Sequence, residues 1–185
     1  MTVTMIQIPE LFFSIDGEPL RECVVCTRPL LRSGVRYLIE RAFVGDEPIF
    51  EYAICFDCQE GMSNDVSPES TQRVEAHFEE RVDVEARRHR LPSPTQKEVA
   101  PWLEQCFLTK TNQRDCRSYA IYAECEGAWM QLGDLPLMLS DRGMQDLERL
   151  LSKKTRESRD DFVDRHLGMP PEMKRDPSAP SFLLV

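Results

Sequence analysis

The sequence predicts an α+β protein, on three observations. Two cysteine pairs, Cys23-Val-Val-Cys26 and Cys55-Phe-Asp-Cys58, bracket a stretch rich in β-forming residues. Apolar residues at helical spacing follow a Ser-Pro start at Ser67 and recur after Ser140. A run with three prolines, Leu91–Pro101, divides the chain into two halves of similar size.

In the first half, Val35–Val44 places Val35, Tyr37 and Ile39 on one face of a strand, and Ile49–Cys55 does the same with Phe50, Tyr52 and Ile54. Gly-Asp-Glu-Pro (Gly45–Pro48) reads as the turn between them. The resulting hairpin returns Cys55 to the side of Cys23 and Cys26. Beyond Cys58 the chain becomes helical. Ser67 is the expected N-cap and Pro68 the first helical residue, with Val74, Phe78 and Val82 as an apolar stripe that Ala86 extends.

The chain has seven cysteines, an odd number, and no visible export signal, so reduced thiols or metal ligation are expected rather than a disulfide framework. The pattern C-x₂-C-x₂₈-C-x₂-C supplies four thiolates from two tight loops. Zn²⁺ favours such a soft, tetrahedral donor set, so Cys23, Cys26, Cys55 and Cys58 are assigned to one structural zinc. Four thiolates leave a net negative site, which backbone N–H groups and the flanking Arg21 and Arg28 are placed to offset. A closed shell of four cysteines has no open position for substrate, and His77 and His89 lie too far apart to share a helical turn. The protein is therefore expected not to be an enzyme.

Knuckle, hairpin, then a second cysteine pair at a helix start: residues from Glu22 to about Arg88 resemble a treble-clef zinc module. Val24 and Thr27 stand where the commonest knuckle, C-P-x-C-G, has proline and glycine. The resemblance implies metal binding and a fold, not an activity.

The second half holds Cys106, Cys116 and Cys125 at spacings that form no compact knuckle. They read as reduced structural cysteines. A second metal would need a further ligand such as Asp115 or His166, and no adjacent His or Asn pattern marks one of the three as a nucleophile. Echoes of the first half are present nonetheless. Tyr119-Ala-Ile121 matches Tyr37-Leu-Ile39, Gly143-Met144 matches Gly61-Met62, and Phe162–Arg165 matches Phe78–Arg81. These point to a second small α+β module that is a degenerate duplicate of the first. Asp134–Lys154 reads as an extended stretch followed by a helix capped by Ser140, and a further helix starts with Thr155 as cap and stops at Gly168.

The expected organisation is thus a zinc-binding hairpin-plus-helix module (1–90), a Pro-rich linker (91–101), a second α+β module (102–169), and an extended Pro-rich tail (170–185) with the apolar end Phe182–Val185. That apolar end is expected to dock on its own domain or on a sister subunit, the alternative being a peptide that another protein reads as an added strand.

The 185 residues are 41% hydrophobic and 30% charged, as in a globular protein. No apolar run approaches the roughly 20 residues of a membrane helix, and the N-terminal stretch lacks a basic n-region and cleavage site, so the expected location is the cytoplasm. Net charge is −9 and no segment is basic overall, which disfavours nucleic acid as the main partner. No small-molecule substrate motif stands out. The reading is a non-catalytic zinc protein acting through protein–protein contacts or self-association. The alternatives are a nucleic-acid-binding or transcription-related regulator, and a thiol-based redox switch that loses zinc on oxidation.

Overall fold

The computed structural model describes residues 4–91 and 98–168. The apolar C-terminal tail and most of the proline-rich linker lie outside the described residues.

The structure is a mixed α and β fold built on one six-stranded antiparallel sheet. Strand β1 (Thr4–Gln7) precedes the knuckle loop. The hairpin follows as β2 (Arg36–Val44) and β3 (Glu47–Cys55), then three helices, α1 (Phe56–Ser63), α2 (Pro68–Arg81) and α3 (Val84–Arg90). A single-turn helix α4 (Ala100–Leu103) opens the second half. After it come β4 (Ser118–Glu126), β5 (Trp129–Leu132), β6 (Leu137–Ser140), α5 (Asp141–Leu150) and α6 (Lys153–Phe162). The sheet order is β1-β5-β4-β2-β3, and β6 also pairs with β4.

The expected hairpin is present, with a tighter turn. Only Gly45 and Asp46 separate the strands, and Gly45 takes the left-handed φ of 59° that such a turn requires. Pro48 therefore lies inside β3, beside a register shift between Ala42 and Phe43 that absorbs its missing donor.

The halves expected as separate modules share the sheet. β2 and β4 pair along their whole length, from Arg36↔Glu126 to Val44↔Ser118. A hairpin alone exposes an edge of unpaired backbone groups, and here each half covers the other's edge. Ile39, Glu40, Arg41, Ala42 and Phe43 are all buried in succession, so β2 is covered on both faces. On the Arg41 face, Leu11 O accepts from Arg41, while Ser14 Oγ donates to Glu51 at 2.6 Å. On the Glu40 face, Phe162 packs edge-on against Tyr52 at 6.1 Å, bringing the end of α6 onto the sheet.

Three helix expectations change. The long helix through Ala86 breaks after Arg81: Val82 turns extended, Asp83 accepts from Ala86 N–H to cap α3, and Ala86 is exposed rather than part of the apolar stripe. α6 begins one turn earlier than expected, with Ser152 as the cap and Thr155 as the residue whose N–H it accepts. The linker ends before Pro101, which sits in the first turn of α4, where no helical N–H is needed. Ser67, Pro68 and Ser140 take their expected capping positions, and Gly168 ends the last helical turn at φ 56°.

Candidate metal centre

Cys23 and Cys26 sit on a tight loop closed at its base by the Glu22↔Pro29 bridge and by Leu30 N–H donating to Arg21 O at 2.8 Å. Inside it, Thr27 N–H donates to Cys23 O (2.9 Å) and Cys23 N–H to Arg28 O (3.0 Å). Thr27 reaches this geometry with φ 57°, at the position where the commonest knuckle has glycine. Val24 N–H donates to Ala53 O at 2.9 Å, which ties the loop to β3.

The other two cysteines come from the junction of β3 and α1. Cys55 is the last strand residue and the N-cap, and Cys58 lies in the first helical turn. The change from strand to helix period turns both thiols to the same side. Cys55 N–H points at Cys23 Sγ, 3.4 Å away. The four sulfurs lie within 4.8 Å of one another, with no disulfide among them. Cys26 Sγ and Cys55 Sγ are 3.7 Å apart. A tetrahedron with metal–sulfur bonds of about 2.3 Å has sulfur–sulfur edges of about 3.8 Å. The donor set and its spacing therefore suit a metal ion.

Burial pushes the Cys23 thiol up, but N–H groups of Cys26, Cys55 and Val25 outweigh it and bring it down to about 7. Burial and the neighbouring thiols push Cys55 and Cys58 up. Of the two arginines singled out in the sequence, Arg28 is the one at the site. It pairs with Asp57 at 2.5 Å, and Asp57, then Cys55 and Cys26, hold its guanidinium above its ordinary pKa. Arg21 pairs instead with exposed Glu18. Cys23 and Cys55 are buried, Cys58 is half-buried, and Cys26 is exposed.

The three remaining cysteines do not converge. Cys125 is buried beside Tyr37, and burial raises its thiol to about 12. Cys116 donates to Asn112 O at the surface. Cys106 is buried, and its sulfur receives Ser140 N–H (3.2 Å), Ser140 Oγ (3.2 Å) and Thr109 N–H (3.4 Å). His166 packs on Phe162 at 5.0 Å. Among the described residues, the four-cysteine cluster is the group of His, Cys, Asp or Glu placed to hold an ion, and neither Asp115 nor His166 builds another with the second-half cysteines.

Sequence reasoning missed two features. One is a cleft of about 640 Å³ between α1, α2 and α6, with Cys58 on its wall beside Val25, Met62, Val74 and Phe162. The other is buried Glu40, which accepts from Tyr52 and from Tyr122 (2.9 Å). A charged residue between Ile39 and Arg41 carried no sign in the sequence that both faces of its strand would be covered.

No family model, curated protein or solved structure matches the chain. No described helix is long and apolar enough to cross a membrane.

Proposed function

We propose that the protein is a non-catalytic cytoplasmic zinc protein, in which one structural Zn²⁺ bound by Cys23, Cys26, Cys55 and Cys58 locks a treble-clef-like knuckle, hairpin and helix. It works through protein–protein contacts. The observation that carries this reading is the four-thiol cluster itself, contributed entirely by one chain, with Cys26 and Cys55 sulfurs 3.7 Å apart. Four thiolates complete a tetrahedral shell and leave no coordination position for a substrate. The acidic balance of the chain, net −9, speaks against nucleic acid as the partner.

The test is metal replacement. Protein purified without chelator or oxidant carries about one zinc per chain, and the Co²⁺ form shows the intense bands of a tetrahedral tetrathiolate. Because the shell is closed, added azide or imidazole leaves that spectrum unchanged. A spectrum that shifts with those ligands shows an open site and overturns the structural reading. Absence of any transition metal overturns the zinc reading.

A further inference from the structure

The loop at Cys106 repeats the loop at Cys23 bond for bond. Lys110 N–H donates to Cys106 O (3.0 Å) as Thr27 N–H does to Cys23 O, and Cys106 N–H donates to Thr111 O (2.8 Å) as Cys23 N–H does to Arg28 O. Lys110 has φ 60°, as Thr27 has 57°, and among the described residues these are the non-glycine residues with positive φ. Ser140 ends β6 and stands at the N-cap position of α5, as Cys55 ends β3 and stands at the N-cap position of α1. Ser140 N–H points at Cys106 Sγ (3.2 Å) as Cys55 N–H points at Cys23 Sγ (3.4 Å).

The strands and caps follow the same rule. Glu40 lies opposite Tyr122, 82 positions later, and the ends of β2 and β4 exchange partners about that pair. β3 meets β2 at Tyr37↔Cys55 and Val44↔Glu47. β6 and β5 meet β4 at Tyr119↔Ser140 and Glu126↔Trp129, so they are one strand interrupted by Gly133–Pro136. The helix caps then match at 85 positions: Ser67 Oγ bonds Ser152 Oγ (2.9 Å) and Ser70 Oγ bonds Thr155 Oγ1 (3.0 Å). The cross-bonds are reciprocal, Ser67 N–H to Thr155 Oγ1 (3.0 Å) and Ser152 N–H to Ser70 Oγ (2.8 Å). This is the pattern of an isologous, two-fold contact made within one chain.

We infer that the second half is a metal-free copy of the metal-binding half, with Cys106, Thr109, Ser140 and Gly143 standing at the positions of Cys23, Cys26, Cys55 and Cys58. Hydrogen bonds fill the place of the ion: Ser140 Oγ bonds Cys106 Sγ (3.2 Å) and Thr109 Oγ1 (3.1 Å), and accepts from Gly143 N–H (3.1 Å). A Cβ placed on Gly143 aims into this trio, 3.1 Å from Cys106 Sγ, 3.4 Å from Ser140 Oγ and 3.7 Å from Thr109 Cγ2. In this register Gly143 falls opposite Cys58, so the Gly-Met echo read in the sequence is out of step with the repeat.

The inference rests on the zinc reading of the first half for its baseline, and the experiment separates the two. Zinc is counted by elemental analysis, and Co²⁺ titration is followed at the thiolate bands, for the full chain and for T109C/S140C/G143C. The native chain is expected to bind about one ion and the variant about two, both tetrahedral. The double variant T109C/S140C adds no Cβ at Gly143 and is expected to take a second ion through three thiolates. Adding Cys106→Ser to the triple variant is expected to weaken the new ion and spare the first. A native chain with no ion, beside variants that gain one, sinks the first-site reading but not the copy. Variants that stay at the native count, or that fail to fold in excess zinc, overturn the copy.

Discussion

Ser67 and Ser152 each cap their own helix, and their hydroxyls bond each other at 2.9 Å. Each Oγ also accepts the N–H three residues on, from Ser70 and Thr155 respectively, and Ser70 and Thr155 complete the ring of side chains. An ordinary N-cap serves one helix. This one fastens α2 to α6 at their starts, so losing either serine loosens both helices.

Ser67→Ala and Ser152→Ala are each expected to cost about 1–2 kcal/mol, the upper part of the range for a lost cap. Because the two share one network, the double variant should cost less than the sum, with a coupling of about 0.5–3 kcal/mol. Urea unfolding of the four proteins of this cycle measures it. Additive losses would show two independent caps.

Glu40 gives a pH dependence with a definite sign. Burial raises its carboxyl to about 8 from 4.5, although hydrogen bonds from Tyr52 and Tyr122 act the other way. Below 4.5 both the folded and unfolded chains hold the proton, and this group's favourable contribution is fully present. As pH rises to about 8, the unfolded chain ionises while the folded chain keeps its proton, so stability falls across that window and levels above it. The amplitude is at most on the order of 5 kcal/mol. Glu40→Gln has no charge to bury, so its stability relative to the native chain should rise from pH 5 to pH 9. Taking the difference between the two proteins cancels the pH dependence of the thiol cluster. A constant difference would mean that Glu40 is ionised in the fold.

The four-cysteine cluster was legible because its chemistry is written in local spacing. Two C-x₂-C loops and a β-rich hairpin between them place four sulfurs together, whatever the rest of the chain does. The capping residues Ser67 and Ser140 were legible for the same reason: a cap acts within one turn. The joining of the halves was not. β2 and β4 pair residues up to 90 positions apart, as in Arg36↔Glu126, and nothing in either strand's own pattern names its partner. The halves were expected to be related, but the likeness of the Cys106 loop to the Cys23 loop was not located, because cysteine spacing was the signal being read. Cys106-x₂-Thr109 and Ser140-x₂-Gly143 have the spacing of the two cysteine pairs, but three of the four residues are not thiols.

The two kinds of cysteine should part cleanly on substitution. Cys55→Ser removes a buried thiol from the cluster while leaving a residue able to cap α1, so its effect reads the loss of the thiol. It is expected to abolish stoichiometric zinc and to release the structure around the knuckle, because folding and structural metal binding are linked. Cys116→Ser exchanges a half-buried surface thiol that donates only to Asn112 O, at about 1 kcal/mol or less. Zinc content and thermal midpoint of the two variants decide the matter. Equal zinc loss in both would place the metal elsewhere.

Thr27 carries a cost that glycine would remove. A β-branched residue at φ 57° crowds its Cβ against the following carbonyl, at about 1–2 kcal/mol. Thr27→Gly removes that strain, loses the exposed bond from Thr27 Oγ1 to Cys26 O at 2.7 Å, and adds about 0.4–1 kcal/mol of chain entropy to be lost on folding. The net expectation is a small gain, up to about 1 kcal/mol, read as a higher urea midpoint and a slower loss of zinc to a competing chelator. Gly127→Ala is the opposing control. Gly127 also has a left-handed φ, 55°, and a Cβ there would come within 3.2 Å of Arg32 O. That backbone oxygen lacks the freedom of a side-chain tip, so the alanine should lose at least about 1–2 kcal/mol. If Thr27→Gly lowered the midpoint as Gly127→Ala does, the left-handed knuckle would be wrong, and with it the bond-for-bond likeness between the Cys23 and Cys106 loops.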